Sequence, residues 1–346
     1  MFKCNVPNCI RTTAALAICL NLLDSHALAD AMSKSEAVAM QQAATDMSKA
    51  TRLVTLGTVA GPRAQADRSG SANLLQVGDR YYLIDAGPGV SHRLAASGVQ
   101  PAQIQKIFLT HLHFDHSAGI ASLFGFAWMK RNVKAMDVYG PPGTQAFAKN
   151  AVDYLSIPEG IYAAQLPPGP SISEMVKAHD INVSQPAVIY QDDHIKVTAV
   201  ENSHYDTIPL GHRPVGSSRT YALRFDTPDR SIVFTGDTGP SDAVVELAKG
   251  ADILVAEVMD MDATLKNLAQ SMNIPQDKLS VVAGHMLKEH LSPQGVGDLA
   301  KKARVGMVIL SHLGIPETAY DMRILTKGVR ESYSGPIAIA NDGSEF

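Results

Sequence analysis

The chain has 346 residues, of which 45% are hydrophobic and 18% charged, with a formal net charge of −4. This is an ordinary balance for a globular protein able to bury a core. A mildly acidic chain lacks the basic footprint of a general nucleic-acid binder, so no nucleic-acid partner is expected.

The N-terminal stretch "MFKCNVPNCIR" carries Lys3 and Arg11, an apolar run "TTAALAICLNLL" follows, and "ALAD" closes it. This pattern is that of a secretory signal peptide over residues 1–29, cleaved after Ala29, and it predicts a periplasmic or secreted protein. A membrane anchor needs roughly 20 apolar residues, more than this run supplies, so no membrane association is expected once the leader is removed. Cys4, Cys9 and Cys19 all fall in the leader. The remaining chain then has no disulfide framework, no thiolate ligand and no cysteine nucleophile, and its chemistry rests on His, Asp, Glu and hydroxyls.

Residues 30–50 are rich in Ala, Met and Ser without a clean apolar period and read as a tether or peripheral helix. A single catalytic domain over 51–346 begins at the strand "RLVTLGT". In "SANLLQVGDRYYLIDAG" two apolar runs flank Gly78-Asp79, a hairpin signature. "SHRLAASGV" reads as a short helix, "IQKIFLT" as a buried strand, "SAGIASLFGFAWMKRN" as a helix and "AMDVYGPPG" as a strand with a Pro-Gly turn. The stretch from about 153 to 190 is Pro- and Gly-rich and weakly periodic, which predicts an irregular cap insertion. Strands "HIKVTAVEN", "TYALRFDT" and "SIVFTGDT" follow. Then come the helix "SDAVVELAKG", the strand "ADILVAEV", a helix near 262–272, the helix "SPQGVGDLAKKAR" and the strand "GMVILSHL", and "GPIAIANDG" closes the chain. Hairpins followed by alternating strands and helices predict an α/β fold with mixed sheets and helices outside.

Between the strand "IQKIFLT" and the next helix lies "THLHFDH". In an extended loop residues i and i+2 point the same way, so His111 and His113 can share one metal. Asp115 and His116 begin the turn and can reach a second. Imidazoles and carboxylates without thiolate suit zinc, with Mn2+ or Fe2+ as alternatives. Further ligands are expected at strand ends, and three are available: His204 in "VENSHYD", Asp237 in "VFTGDTG" and His312 in "VILSHLG". The Asp237 carboxylate could bridge the ions. His212, in "PLGHRPVGSS", is the rival of His204 as ligand or a contact for substrate.

"THLHFDH", "SHYD", "TGDT" and "LSHL", in this order, resemble the metallo-β-lactamase superfamily, in particular the branch that contains ribonuclease Z and the zinc-dependent arylsulfatases. The resemblance runs over about 52–346. It implies an αββα sandwich of two mixed sheets, with the site at one edge of both. It implies that His111, His113, His204 and Asp237 hold one metal, and Asp115, His116, Asp237 and His312 the other, with Asp85 orienting ligands. It also implies that His290, with Glu257 as its carboxylate partner, donates a proton to the leaving group. Asp115, His290 and Glu257 are thus the candidate catalytic residues.

Two ions about 3.5–4 Å apart can hold a bridging hydroxide and clamp a displacement. The function expected from this reading is an exported dinuclear zinc hydrolase of small sulfate or phosphate esters, arylsulfatase- or phosphodiesterase-like. Lactonase, thioesterase or β-lactamase activity, or a non-catalytic metal-binding protein, are the alternatives. A tRNA-processing ribonuclease ranks low here, because the segment 153–190 carries Lys177 as its only basic residue apart from histidine. A homodimer is compatible with the sequence but not required by it.

Overall fold

The computed structural model describes residues 50–131, 134–208, 212, 219–271, 275–316 and 320–346. The expected leader and all of the tether but residue 50 lie outside them. Among the described residues, no helix is long and apolar enough to cross a membrane.

Among the described residues, fourteen strands form two seven-stranded sheets. The first contains β1 (Thr51–Gly57), β2 (Ala72–Val77), β3 (Arg80–Ile84), β4 (Lys106–Phe108), β5 (Met136–Gly140), β6 (Val176–Asp180) and the closing β14 (Ser344–Glu345), in the order β14-β1-β2-β3-β4-β5-β6. The second contains β7 (Ala187–Gln191), β8 (Lys196–Glu201), β9 (Tyr221–Asp226), β10 (Ser231–Phe234), β11 (Ile253–Met259), β12 (Met307–Gly314) and β13 (Ile337–Ile339), in the order β13-β12-β11-β10-β9-β8-β7. Each sheet is antiparallel over its first chain segments and parallel over its later ones. In the first sheet β3, β4 and β5 run the same way, and in the second so do β8, β10, β11 and β12. The residues after each of these strands therefore emerge at one edge of their sheet.

Helices cover both outer faces: α1 (Val90–Ala96), α2 (Phe114–Ser117), α3 (Ile120–Trp128), α4 (Thr144–Ala163), α5 (Ile172–Met175), α6 (Asp242–Leu247), α7 (Met261–Ser271), α8 (Gln276–Glu289), α9 (Pro293–Ala303) and α10 (Arg323–Arg330). Alternation along the strands sorts the apolar side chains into three layers. Leu53, Leu75, Tyr82, Ile84 and Phe108 from the first sheet meet Val197, Leu223, Phe225, Ile232, Val255 and Ile309 from the second. Their neighbours one position along face outward: Val54, Leu74 and Leu83 pack with Leu94, Leu123 and Phe124 of the helices. On the other face Val233, Leu254 and Leu310 pack with Val244, Val296, Leu299 and Leu325. This is an αββα sandwich.

The hairpin at Gly78-Asp79 has the expected two-residue loop, with Val77 opposite Arg80 and Gly78 at φ 60°. The segment 153–190 differs from the irregular insertion expected. Its first part is the C-terminal half of α4, and Val176–Asp180 and Ala187–Gln191 are edge strands of the two sheets. Pro158 lies inside α4. The helix tolerates it because this half is exposed, with Tyr154 and Ile157 about three-quarters open to solvent, so the carbonyl that Pro158 cannot bond is open to water. Helices α8 and α10 are not flagged by the sequence pattern.

Candidate dinuclear metal centre

Each group at the site is placed by a strand end and fixed by a local bond. Asp85 follows β3, is buried and sits at φ 60°. It accepts hydrogen bonds from the Thr110 backbone N–H (2.8 Å), the Thr110 hydroxyl (2.9 Å) and His116 Nδ1 (2.8 Å). Thr110 opens the turn after β4 that carries His111, His113, Asp115 and His116, the last three leading into α2. Asp237 follows Gly236, whose φ of 59° turns the chain sharply at the end of β10. A side chain on Gly236 would press on the Tyr221 carbonyl at 2.7 Å. His312 occupies a bulge: Glu257 pairs with Ser311 and Val258 with Leu313, leaving His312 as the extra residue at φ 43°. A non-glycine residue in that region costs roughly 1–3 kcal/mol and persists where the surroundings over-determine it. The bulge re-aims the ring toward the edge.

The side chains fall into two groups sharing Asp237. In the first, His113 Nδ1 lies 3.2 Å from both His111 Nε2 and His204 Nε2. Asp237 Oδ2 lies 3.9 Å from His111 Nε2 and 3.8 Å from His204 Nε2. In the second, Asp237 Oδ1 lies 3.2 Å from His116 Nε2 and 3.4 Å from His312 Nε2, and Asp115 Oδ2 lies 3.5 and 3.3 Å from the same two atoms. One oxygen of Asp237 thus faces each group, the geometry of a bridging carboxylate.

The protonation pattern fits cations at both places. His204 Nδ1 donates to the Glu289 carbonyl (3.0 Å), so its ring aims an unprotonated Nε2 at the site, and His116 Nδ1 donates to Asp85, which leaves its Nε2 facing the site. The Thr110 hydroxyl gives its proton to Asp85 and accepts from His111 Nδ1 (3.1 Å), which leaves His111 Nε2 bare too. Burial drives His111 and His113 neutral and pushes His204 down to about 3. At His116 burial opposes charge, but Asp237 and Asp85 more than offset it, so the acidic group creates a field that favours positive charge. Lone pairs facing one another at 3.2 Å repel unless a cation lies between them. Tetrahedral zinc with nitrogen ligands at about 2.0–2.1 Å sets its ligand atoms about 3.3 Å apart. His116 Nε2 and Asp237 Oδ1 are buried and without a hydrogen-bond partner. The residues present fit a pair of metal ions.

Two more groups complete the edge. Glu257, buried on β11, accepts from the Thr238 N–H (2.6 Å) and from His290 Nδ1 (2.9 Å). His290 caps the C-terminus of α8 and offers a ring nitrogen within 4.8 Å of donor atoms of His204 and Asp237. Burial works against its charge, and the Glu257 carboxylate outweighs it, raising the pKa to about 9. Asp115 Oδ2 also accepts from the Gly61 N–H (2.9 Å), and a Cβ on Gly61 would fall 2.3 Å from that oxygen. These groups open on a cavity of about 330 Å3 lined by Gly61, Pro62, His113, Phe114, Asp115, His204, Asp237, Glu289, His290 and His312. A larger, more open groove of about 750 Å3 lies beside it, between α8 and the loop of Ser203 and Thr207. The chemistry belongs to the smaller cavity, where the donor atoms converge.

The residues of both ligand sets are thus brought to one place, together with Asp85, Glu257 and His290. His212 is exposed and belongs to none of the donor groups among the described residues, and His285 faces the larger groove. Gly61, Phe114 and Glu289 also line the cavity and had no signal in the sequence. Gly61 and Glu289 act through backbone atoms, which no residue pattern reports.

A match to the family described as the beta-lactamase superfamily domain spans residues 80–313. With the fold and the paired donor groups, this places the chain in the metallo-β-lactamase superfamily, as a metal-dependent hydrolase. Among its relatives is a protein named Ribonuclease Z from Mycobacterium bovis (strain BCG / Pasteur 1173P2), 28% identical over 295 residues, 84% of this chain and 95% of the relative. Solved structures of similar fold include the metallo-beta-lactamase fold protein YhfI from Bacillus subtilis, with a TM-score of 0.60 and 22% identity over 86% of this chain and 98% of that one. Human tRNase Z, short form, gives a TM-score of 0.58 and 19% identity over 85% and 98%.

These relatives correct two expectations. The arylsulfatase-like hydrolase of small sulfate or phosphate esters has no counterpart among them, whereas Ribonuclease Z matches over nearly its whole length. The expectation that no nucleic acid is involved falls with it. They rested on charge, the net −4 of the chain and Lys177 as the one lysine or arginine of 153–190, and on the N-terminal pattern. A cleavage site that meets phosphate through metal ions needs no basic composition around it.

Proposed function

We propose that this protein is a zinc-dependent phosphodiesterase of the ribonuclease type, acting on RNA. The observation that carries the reading is the complete donor set with Asp237 shared between two groups, beside a buried Glu257–His290 pair and open to one cavity. The relatives named Ribonuclease Z support RNA as substrate, and a donor set of imidazoles and carboxylates without thiolate supports zinc.

His111, His113, His204 and Asp237 would hold one ion, and Asp115, His116, Asp237 and His312 the other. When bound, such a pair lowers the pKa of water and neutralises charge on phosphoryl oxygens. The protein's own residues do the rest. Asp85 holds His116 and the turn at Thr110 in place, and the Gly61 N–H fixes Asp115. Glu257 keeps His290 Nδ1 occupied, so the proton offered to substrate sits on Nε2. As water oxygen bonds to phosphorus and the phosphorus–oxygen bond to the leaving group breaks, His290 gives that proton to the departing oxygen. The groove beside α8 leaves room for a polymer to continue past the scissile bond.

The test is cleavage of a transcribed precursor tRNA and of an unstructured RNA by the zinc-loaded chain, with and without chelator. Chelator-sensitive cleavage of either RNA is expected. Intact RNA in the presence of protein with both ions bound would sink the reading.

A further inference from the structure

Phe114 stands between two candidate ligands, His113 and Asp115, yet 55% of its surface is exposed. It belongs to none of the three apolar layers of the core. The turn that carries it is bolted down: His116 N–H and the Ser117 hydroxyl donate to the His113 carbonyl (3.0 and 2.8 Å), Ala118 N–H to the Phe114 carbonyl (2.8 Å), and Ala86 N–H to the His116 carbonyl (2.7 Å). With the ligands turned inward by these bonds, the benzyl group forms part of the wall of the site cavity, together with Pro62. The cavity therefore has an apolar part, carried by the turn after β4 and the loop after β1, and a polar part, Glu289 and His290, carried by the end of α8.

We infer that Phe114 is a specificity-determining residue whose ring stacks on an aromatic ring of the substrate, a nucleobase adjacent to the scissile phosphodiester. An exposed aromatic face beside a phosphodiester site offers what a base can use. Base–aromatic stacking tolerates any base and is substantial for each base engaged, and single-stranded RNA presents unstacked bases to such platforms. A polar residue at this position would serve the turn equally well, because the turn's bonds are made by its backbone and by Ser117. The inference rests on the phosphodiesterase reading and names what the site grips besides the phosphate.

The experiment compares thymidine 5′-p-nitrophenyl phosphate with its abasic counterpart, 1,2-dideoxyribose 5-p-nitrophenyl phosphate, which share a leaving group and a sugar and differ in the presence of a base. The readout is the ratio of their kcat/KM values, measured on zinc-loaded protein of matched metal content. The ratio should favour the base-bearing diester in the parent protein, fall about tenfold in Phe114→Ala and be kept in Phe114→Trp. An unchanged ratio in Phe114→Ala overturns the inference. The Phe114→Trp variant adds a readout that needs no turnover. The native chain has one tryptophan, Trp128, which is buried, so quenching of the new fluorescence by thymidine monophosphate reports stacking at position 114. Quenching without cleavage of either diester or of RNA keeps the platform and overturns the phosphodiesterase reading. Cleavage without quenching does the reverse.

Discussion

At the scale of single residues, Asp237 links the two donor groups, because each of its oxygens faces a different set of imidazoles. Asp237→Ala should lose at least one of two ions and nearly all activity, with elemental analysis of dialysed protein as the check. Two ions retained at full occupancy would remove Asp237 from its bridging role. His290 is different in kind: its contact with Glu257 fixes a proton donor, not a ligand. His290→Ala should slow diesters with poor leaving groups by about 10²–10⁴ and activated aryl diesters much less. Equal losses on both would argue against proton donation. Gly61 shows how a backbone atom enters the same chemistry. Its N–H holds Asp115, and a methyl group there would collide with that carboxylate. Gly61→Ala should therefore weaken metal retention by about 10–100-fold, the usual cost of losing an orienting partner, as read by chelator competition.

At the scale of elements, the parallel half of the first sheet is tied by charge as well as by its ladder. Asp137 on β5 accepts from Lys106 on β4 (2.6 Å) and from His179 on β6 (2.9 Å). Burial works to raise the Asp137 pKa, and the bonds from Lys106 and His179 outweigh it, holding the carboxyl below its ordinary value. A depressed carboxyl contributes stability above its unfolded pKa, about 3.9, and loses it as pH falls through the folded value. Asp137→Asn should therefore lower the thermal midpoint at neutral pH, and the gap to the parent should shrink as pH falls below about 4. A gap that stays constant down to pH 2 would show that the contacts act through packing. Helix α8 matters for another reason. Its last residue supplies the carbonyl that orients His204, and the next residue is His290.

At the scale of the whole molecule, the site joins the two sheets. His111, His113, Asp115 and His116 follow a strand of the first, and His204, Asp237 and His312 belong to the second. Ions held between them would lock the edge of the sandwich. Chelation should lower the thermal midpoint, and adding back zinc should restore it. An ion at 100 times its Kd contributes about 2.7 kcal/mol, enough to move the midpoint of a domain this size by several degrees. Coincident melting curves with and without chelator would show that the sandwich edge does not depend on metal.

Much of this was legible in the residues alone. The spacing of His111, His113, Asp115 and His116 after a buried run marks a metal-binding turn, because local geometry decides which neighbouring side chains can converge. Alternation and turn residues likewise mark most strands, since burial on one face leaves a period of two in the chain. The edge strands β6 and β7 and the helices α8 and α10 were not legible. The apolar faces of β6, β7 and α8 are small or exposed, so tertiary pairing rather than pattern holds them in place, and α10 buries just Leu325, Gly328 and Val329, too short a run to stand out. Nor could sequence choose between His204 and His212, which lie in the same stretch after β8. Only the packing of β8 beside β9 and β10 brings His204 Nε2 within 3.2 Å of His113. The kinds of ligand and their order along the chain belong to the sequence. Which oxygen of Asp237 faces which group, that His312 is turned inward by a bulge, and that Phe114 is left bare beside the metal centre were decided by the tertiary structure, because each depends on contacts between residues distant in the chain.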